Sequence, residues 1–149
     1  MKVLLFDIDG VLNDHSWNPI AKSNNIMPKM VEQFNRIIHE TDCKLVISSA
    51  WRYMVIGGAL TLPGFAYMLR THGVTDKAEI IGMTASDEDE PNRSDQILAW
   101  IAEHPEVTSW VAVDDLNLDL GDNFVQTDSK VGLTQELAEV IIEKLNIGV

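Results

Sequence analysis

The opening residues constrain this chain most: Lys2-Val3-Leu4-Leu5-Phe6-Asp7-Ile8-Asp9-Gly10-Val11-Leu12. An apolar run ends in two aspartates one residue apart, and a glycine follows at once. Residues 3–6 have the length and composition of a buried strand. Side chains alternate along a strand, so Asp7 and Asp9 can point the same way while Ile8 points into the core. Two carboxylates held that close repel unless a cation or a shared proton intervenes. Gly10 lets the backbone turn sharply out of the strand. A hard divalent cation with oxygen ligands suits such a corner, and Mg²⁺ is the usual one where phosphate is handled.

The chain has 149 residues, 46% of them apolar, which fits one domain over residues 1–149 with a single core. No apolar stretch approaches the roughly 18 residues needed to span a membrane. The start reads as a strand carrying a site, not as a secretory leader. Cys43 is the only cysteine. It permits no internal disulfide and points to a reducing cytoplasm, and it reads as a small core residue rather than a catalytic thiol. Eleven basic residues against 23 acidic ones give a net charge of −12. That argues against tight non-specific nucleic-acid binding, which is driven by counterion release, but leaves a nucleic-acid end open as a substrate.

Strands are expected at 44–48, 79–81, 109–113 and 123–126 as well as at the start. Helices are expected at 28–39, at 60–72 with an interruption near Pro63-Gly64, at 93–103, and at 134–145 behind the N-cap Thr134. Residues 13–27 read as a long polar loop, and Asp87-Glu88-Asp89-Glu90 as a solvated acidic one. Strands alternating with helices predict a parallel α/β sheet. Crossovers of one hand then bring every strand's C-terminal end to one edge. Asp7 and Asp9, Ser48 and Ser49, and Asp114 and Asp115 should meet there.

Carboxylates, hydroxyls and an arginine at one sheet edge suit phosphoryl transfer. Asp7 can attack phosphorus, and Asp9 can protonate the leaving alcohol and then deprotonate water. Asp114 and Asp115 would complete a Mg²⁺ site with Asp7 and the backbone carbonyl of Asp9. Ser48 and the amide of Ser49 can hold phosphate oxygens. Arg93, at a helix N-terminus, can stabilise the transferring group.

Asp7-Ile8-Asp9-Gly10-Val11-Leu12, Ser48 after a hydrophobic strand, Arg93 before a helix, and Val111-Ala112-Val113-Asp114-Asp115 are similar to the four motifs of the haloacid dehalogenase (HAD) superfamily. Ile47-Ser48-Ser49-Ala50-Trp51-Arg52, Ile81-Gly82-Met83-Thr84, Arg93-Ser94-Asp95 and Gly132-Leu133-Thr134 further resemble the HAD domain of "Swiss Army knife" RNA-repair proteins. The resemblance implies a Rossmann-like three-layer sandwich around a parallel sheet. It implies Asp7 as nucleophile, Asp9 as general acid/base and Ser48 as phosphate-binding hydroxyl. Arg93 stands where lysine is commoner, and Arg52 and Lys77 are alternatives for that role. Arg52 and Trp51 can line the site, the indole against a base. Trp17 and His15 lie in the loop near it. Core packing is the other reading of Trp51, and the expected place of Trp100 and Trp110.

Little chain remains for a cap domain, so an open, nearly capless site is expected. The implied activity is Mg²⁺-dependent phosphomonoester hydrolysis through an aspartyl-phosphate, on a small molecule or a nucleic-acid end. A receiver-like phospho-signalling domain and a non-catalytic HAD binding module are the alternatives. In a receiver, a phosphoacceptor aspartate follows a middle strand, and none follows the short third strand here.

Overall fold

The computed structural model describes residues 1–15, 17–18 and 23–147, with backbone alone at 17–18 and 23–24. The central sheet has five parallel strands: β1 (Lys2–Phe6), β4 (Lys44–Ile47), β5 (Ile80–Met83), β6 (Ser109–Asp114) and β7 (Phe124–Gln126). Their order is β5-β4-β1-β6-β7. Numbered along the chain, that is the Rossmann pattern, in which the direction of travel reverses at the first strand; the receiver-type order runs 2-1-3-4-5. The receiver alternative therefore fails on topology.

Val3, Leu4, Leu5 and Phe6 are all fully buried. A strand covered on both faces can be continuously apolar, as this one is. Leu4 and Phe6 pack into a large cluster with α1 (Pro28–Thr41), α3 (Leu62–Thr71) and α5 (Gln135–Asn146). Val3 and Leu5 pack into a second cluster with Ile97 and Trp100 of α4 (Arg93–Ala102). The reversal at β1 sends α4 to the opposite face, as a constant crossover hand requires. Cys43 is buried in the larger cluster, and burial pushes its thiol upward, away from the reactive thiolate. Trp110 is partly buried against the smaller one.

Several boundaries differ from the sequence reading. Pro63 stands in the first turn of α3, behind the N-cap Thr61, rather than interrupting a longer helix. The first turn has backbone N–H groups without intrahelical partners, so proline costs nothing there. The third strand runs on through Gly82 to Met83. A Cβ at Gly82 would approach the Trp100 indole at 3.3 Å, so a residue that weakens strands is the one that fits beneath the tryptophan. The expected loop at 13–27 contains two short strands, β2 (Trp17–Asn18) and β3 (Ser23–Asn24), paired antiparallel. The side chain of Trp17 lies outside the described residues. A four-residue helix, α2 (Tyr53–Ile56), follows a 3₁₀ turn over Ala50–Arg52. Among the described residues there is no separate cap domain, and no helix is long and apolar enough to cross a membrane.

Candidate active site

The strand order reverses at β1, so the C-terminal ends of β1 and β6 lie side by side at the usual ligand position of open α/β sheets. Asp7 leaves the end of β1, and its backbone N–H donates to the Val113 carbonyl of β6 at 3.0 Å. Asp114 ends β6 and Asp115 follows it. Carboxylate oxygens of Asp7, Asp114 and Asp115 lie within 4.8 Å of one another. Asp7 and Asp114 are buried, and Asp115 is partly exposed.

Gly10 makes this convergence possible. It holds φ at 82°, and a Cβ built there would collide with the Asp115 carboxylate. Only glycine provides both the turn and the space.

Burial and then the neighbouring Asp114 charge push the Asp7 carboxyl up to about 8. Burial also raises Asp114. At Asp115, burial is outweighed by hydrogen bonds from His15, Asp114 and Asp7, which hold the carboxyl below its usual range. One cation already stands among these acids: Arg93 Nη1 donates to Asp114 Oδ2 at 2.9 Å and lies 3.7 Å from Asp7 Oδ2. Arg93 is the first residue of α4, behind the N-cap Asn92. Positive charge is unfavourable at a helix N-terminus, and the two carboxylates offset that cost. Of the three candidates for the basic role, Arg93 is the one in contact with the acids. Lys77 pairs with Asp42 in the loops that precede β5 and β4, at the opposite edge of the sheet.

Asp9 stands apart from the acidic cluster. Its Oδ1 accepts from Asn13 Nδ2 at 2.9 Å, and its Oδ2 accepts from the Trp51 indole N–H at 3.0 Å. Its carboxylate is not among the three that converge. Trp51 is not purely core, because its indole N–H donates to Asp9 Oδ2. Asn13, which sequence reasoning missed, is fully buried and also accepts from the backbone N–H of Gly10 and of His15. Its position four residues after Asp9 was the available signal, since asparagine commonly closes such turns through its side chain. His15 has φ 64° and contacts Asp115 Oδ2 through Nε2 at 2.9 Å. A non-glycine residue at positive φ is strained and persists where the surroundings fix it, commonly at functional sites.

Ser48 follows β4 and is buried, and its Oγ has no hydrogen-bond partner among the described residues. Thr84, which follows β5, carries a second buried hydroxyl without one. Leaving such a group unpaired costs on the order of 1–3 kcal/mol. Ser49 is also buried, and its Oγ accepts from the Trp51 backbone N–H, capping the 3₁₀ turn as well as lying beside the site. Arg52 departs from its expected place against substrate. Its side chain is 1% exposed, and its donors are taken by carbonyls and side chains of the surrounding loops.

The donor set fits a hard divalent cation: three carboxylates in mutual repulsion, oxygen ligands only, and one arginine that offsets part of the charge. Asp7, Asp114 and Asp115 are the residues that would hold it. No curated protein matches the chain significantly. The family model for the HAD domain in Swiss Army Knife RNA repair proteins matches residues 3–138, and with that match over most of its length, on a parallel Rossmann-like sheet, the chain belongs to this HAD family.

Proposed function

We propose that the protein is a Mg²⁺-dependent phosphatase that hydrolyses phosphomonoesters through an aspartyl-phosphate on Asp7. The observation that carries this reading is the meeting of Asp7, Asp114 and Asp115 at the strand-order reversal, with Arg93 against two of them. A bound Mg²⁺ would neutralise the acidic cluster, favour ionised Asp7 at neutral pH and reduce its repulsion toward phosphate.

In the first step an Asp7 carboxylate oxygen attacks phosphorus, the bond from phosphorus to the ester oxygen breaks, and Asp9 gives its proton to the departing alkoxide. In the second, water attacks the acyl phosphate while Asp9 takes a proton from it. The bond from phosphorus to Asp7 breaks, and inorganic phosphate leaves. Asn13 and Trp51 hold Asp9 in one orientation through both steps. Arg93 and the Ser48 hydroxyl would bear on the non-bridging oxygens.

The family's association with RNA repair makes a phosphorylated polynucleotide end a candidate substrate, and the net charge of −12 makes small phosphomonoesters another. A cytoplasmic setting belongs to the same proposal and fits a single buried cysteine. Hydrolysis of p-nitrophenyl phosphate, measured in EDTA and after addition of Mg²⁺, tests the activity. Metal-dependent turnover in the parent that is lost in Asp7→Asn supports it. Equal turnover in the two proteins removes the mechanism, and no turnover in either leaves a binding module. A panel of 3′- and 5′-phosphorylated RNA and DNA ends, mononucleotides and sugar phosphates then separates the substrate classes.

A further inference from the structure

The guanidinium of Arg52 lies buried behind the site. Nη1 donates to the carbonyls of Ser49 at 3.0 Å and Ser48 at 3.4 Å. Nε and Nη2 donate to the Ala85 carbonyl at 3.2 and 3.0 Å. Nη2 also reaches Gln96 Oε1 at 3.1 Å and Asp87 Oδ1 at 3.3 Å. Gln96 is itself buried, and its Nε2 donates to Asp87 Oδ1 at 2.8 Å and to the Glu90 carbonyl at 2.6 Å. One planar cation thus ties the turn after β4 to the loop after β5 and to a side chain of α4.

The two buried hydroxyls without partners among the described residues, Ser48 Oγ and Thr84 Oγ1, belong to the residue whose carbonyl Arg52 holds and to the residue just before Ala85. A turn free to relax would rotate an unpaired hydroxyl toward a partner or toward solvent. Here the carbonyls of Ser48 and Ala85, beside the two hydroxyls, are both tied to one guanidinium. A planar fork of five N–H donors can hold more carbonyls in a fixed geometry than the three rotatable donors of an ammonium.

We propose that Arg52 is a positioning residue for the reaction: without touching substrate, it fixes the Ser48 turn so that the Ser48 hydroxyl is held ready for a phosphate oxygen. This rests on the phosphatase reading above. Removing Arg52 would then matter only as far as Ser48 is there to be positioned.

The test is a double-mutant cycle with p-nitrophenyl phosphate and Mg²⁺, using Arg52→Lys, Ser48→Ala and the pair. Arg52→Lys is expected to lower kcat/KM roughly 10- to 100-fold, as ångström-scale misplacement of a binding group does. In the Ser48→Ala background the same change is expected to cost less than about threefold, because the group it positions is gone. Mg²⁺ affinity, read by calorimetry, is expected to stay at the parent value in Arg52→Lys. Gln96→Met, which removes one anchor and leaves the guanidinium in place, is expected to show a smaller loss with the same dependence on Ser48, and decides the matter should Arg52→Lys not fold. Penalties that multiply unchanged in the Ser48→Ala background, or that appear equally in Mg²⁺ affinity, overturn the inference while leaving the phosphatase reading intact. A parent protein without metal-dependent turnover instead overturns that reading.

Discussion

At the residue scale, two hydroxyls at the strand ends stand out against the hydrogen-bonded groups around them. Ser48 and Thr84 each bury a hydroxyl without a partner among the described residues. Replacing such a group with an apolar one of similar shape removes a desolvation penalty and no hydrogen bond. Ser48→Ala and Thr84→Val should therefore leave stability unchanged or raise it by about 1 kcal/mol. Urea unfolding checks this, and Ser48→Ala should lose activity while it keeps or gains stability. The aspartates, Ser48 and Arg93 were legible because each stands where an apolar run stops or a helix begins. Asn13 was not, and Trp51 was legible beside the site but not as a partner of Asp9, because each meets Asp9 through a hydrogen bond that depends on how a loop folds back. Arg52 was misplaced for a related reason. A sequence shows a cation beside a site, but not whether carbonyls or solvent meet its donors.

At the scale of elements, strand ends and helix starts supply the chemistry. Arg93 reaches Asp114 only if the first turn of α4 is held, and Asn92 holds it by accepting from the backbone N–H groups of Ser94 and Asp95 at 2.9 and 3.3 Å. Asn92→Ala should cost about 1 kcal/mol of stability. It should also raise KM for p-nitrophenyl phosphate, as the first turn frays and Arg93 loses its place. Thermal unfolding and steady-state kinetics on one preparation check both effects. The five strands and the main helices were legible from apolar runs and periodicity. The third strand was read short because glycine is a poor strand former, and the tryptophan that favours it lies in a helix far along the chain. The paired strands β2 and β3 have too few residues to leave an alternating pattern.

At the scale of the molecule, the acidic cluster couples metal, pH and stability. Asp7 and Asp114 titrate above the usual carboxylate range in the folded, metal-free chain. The native state then keeps protons that the unfolded state has released, so their contribution is full at acid pH and is lost as pH rises through about 8 for Asp7. Asp42, Asp87 and Asp115 are shifted downward, and their contribution is lost only at lower pH, below the ordinary carboxylate range. Between these windows, the melting temperature of EDTA-treated protein should fall as pH rises toward 8. Mg²⁺ should restore more of it at the alkaline end, where protons no longer compete for the carboxylates. Melting curves from pH 5 to 8, with and without Mg²⁺, check this. A flat profile in EDTA would mean that burial beside Asp114 does not hold Asp7 protonated in the folded chain.

The central claim is that Asp7 becomes phosphorylated. Asp9→Asn should form the intermediate from p-nitrophenyl phosphate, whose leaving group needs little help from an acid, and should then hydrolyse it slowly. Borohydride reduction followed by peptide mass mapping reads the modified residue directly. The account predicts homoserine at position 7 after incubation with substrate and Mg²⁺, and none in EDTA. Turnover with an unmodified Asp7, or with the label on another residue, would contradict it.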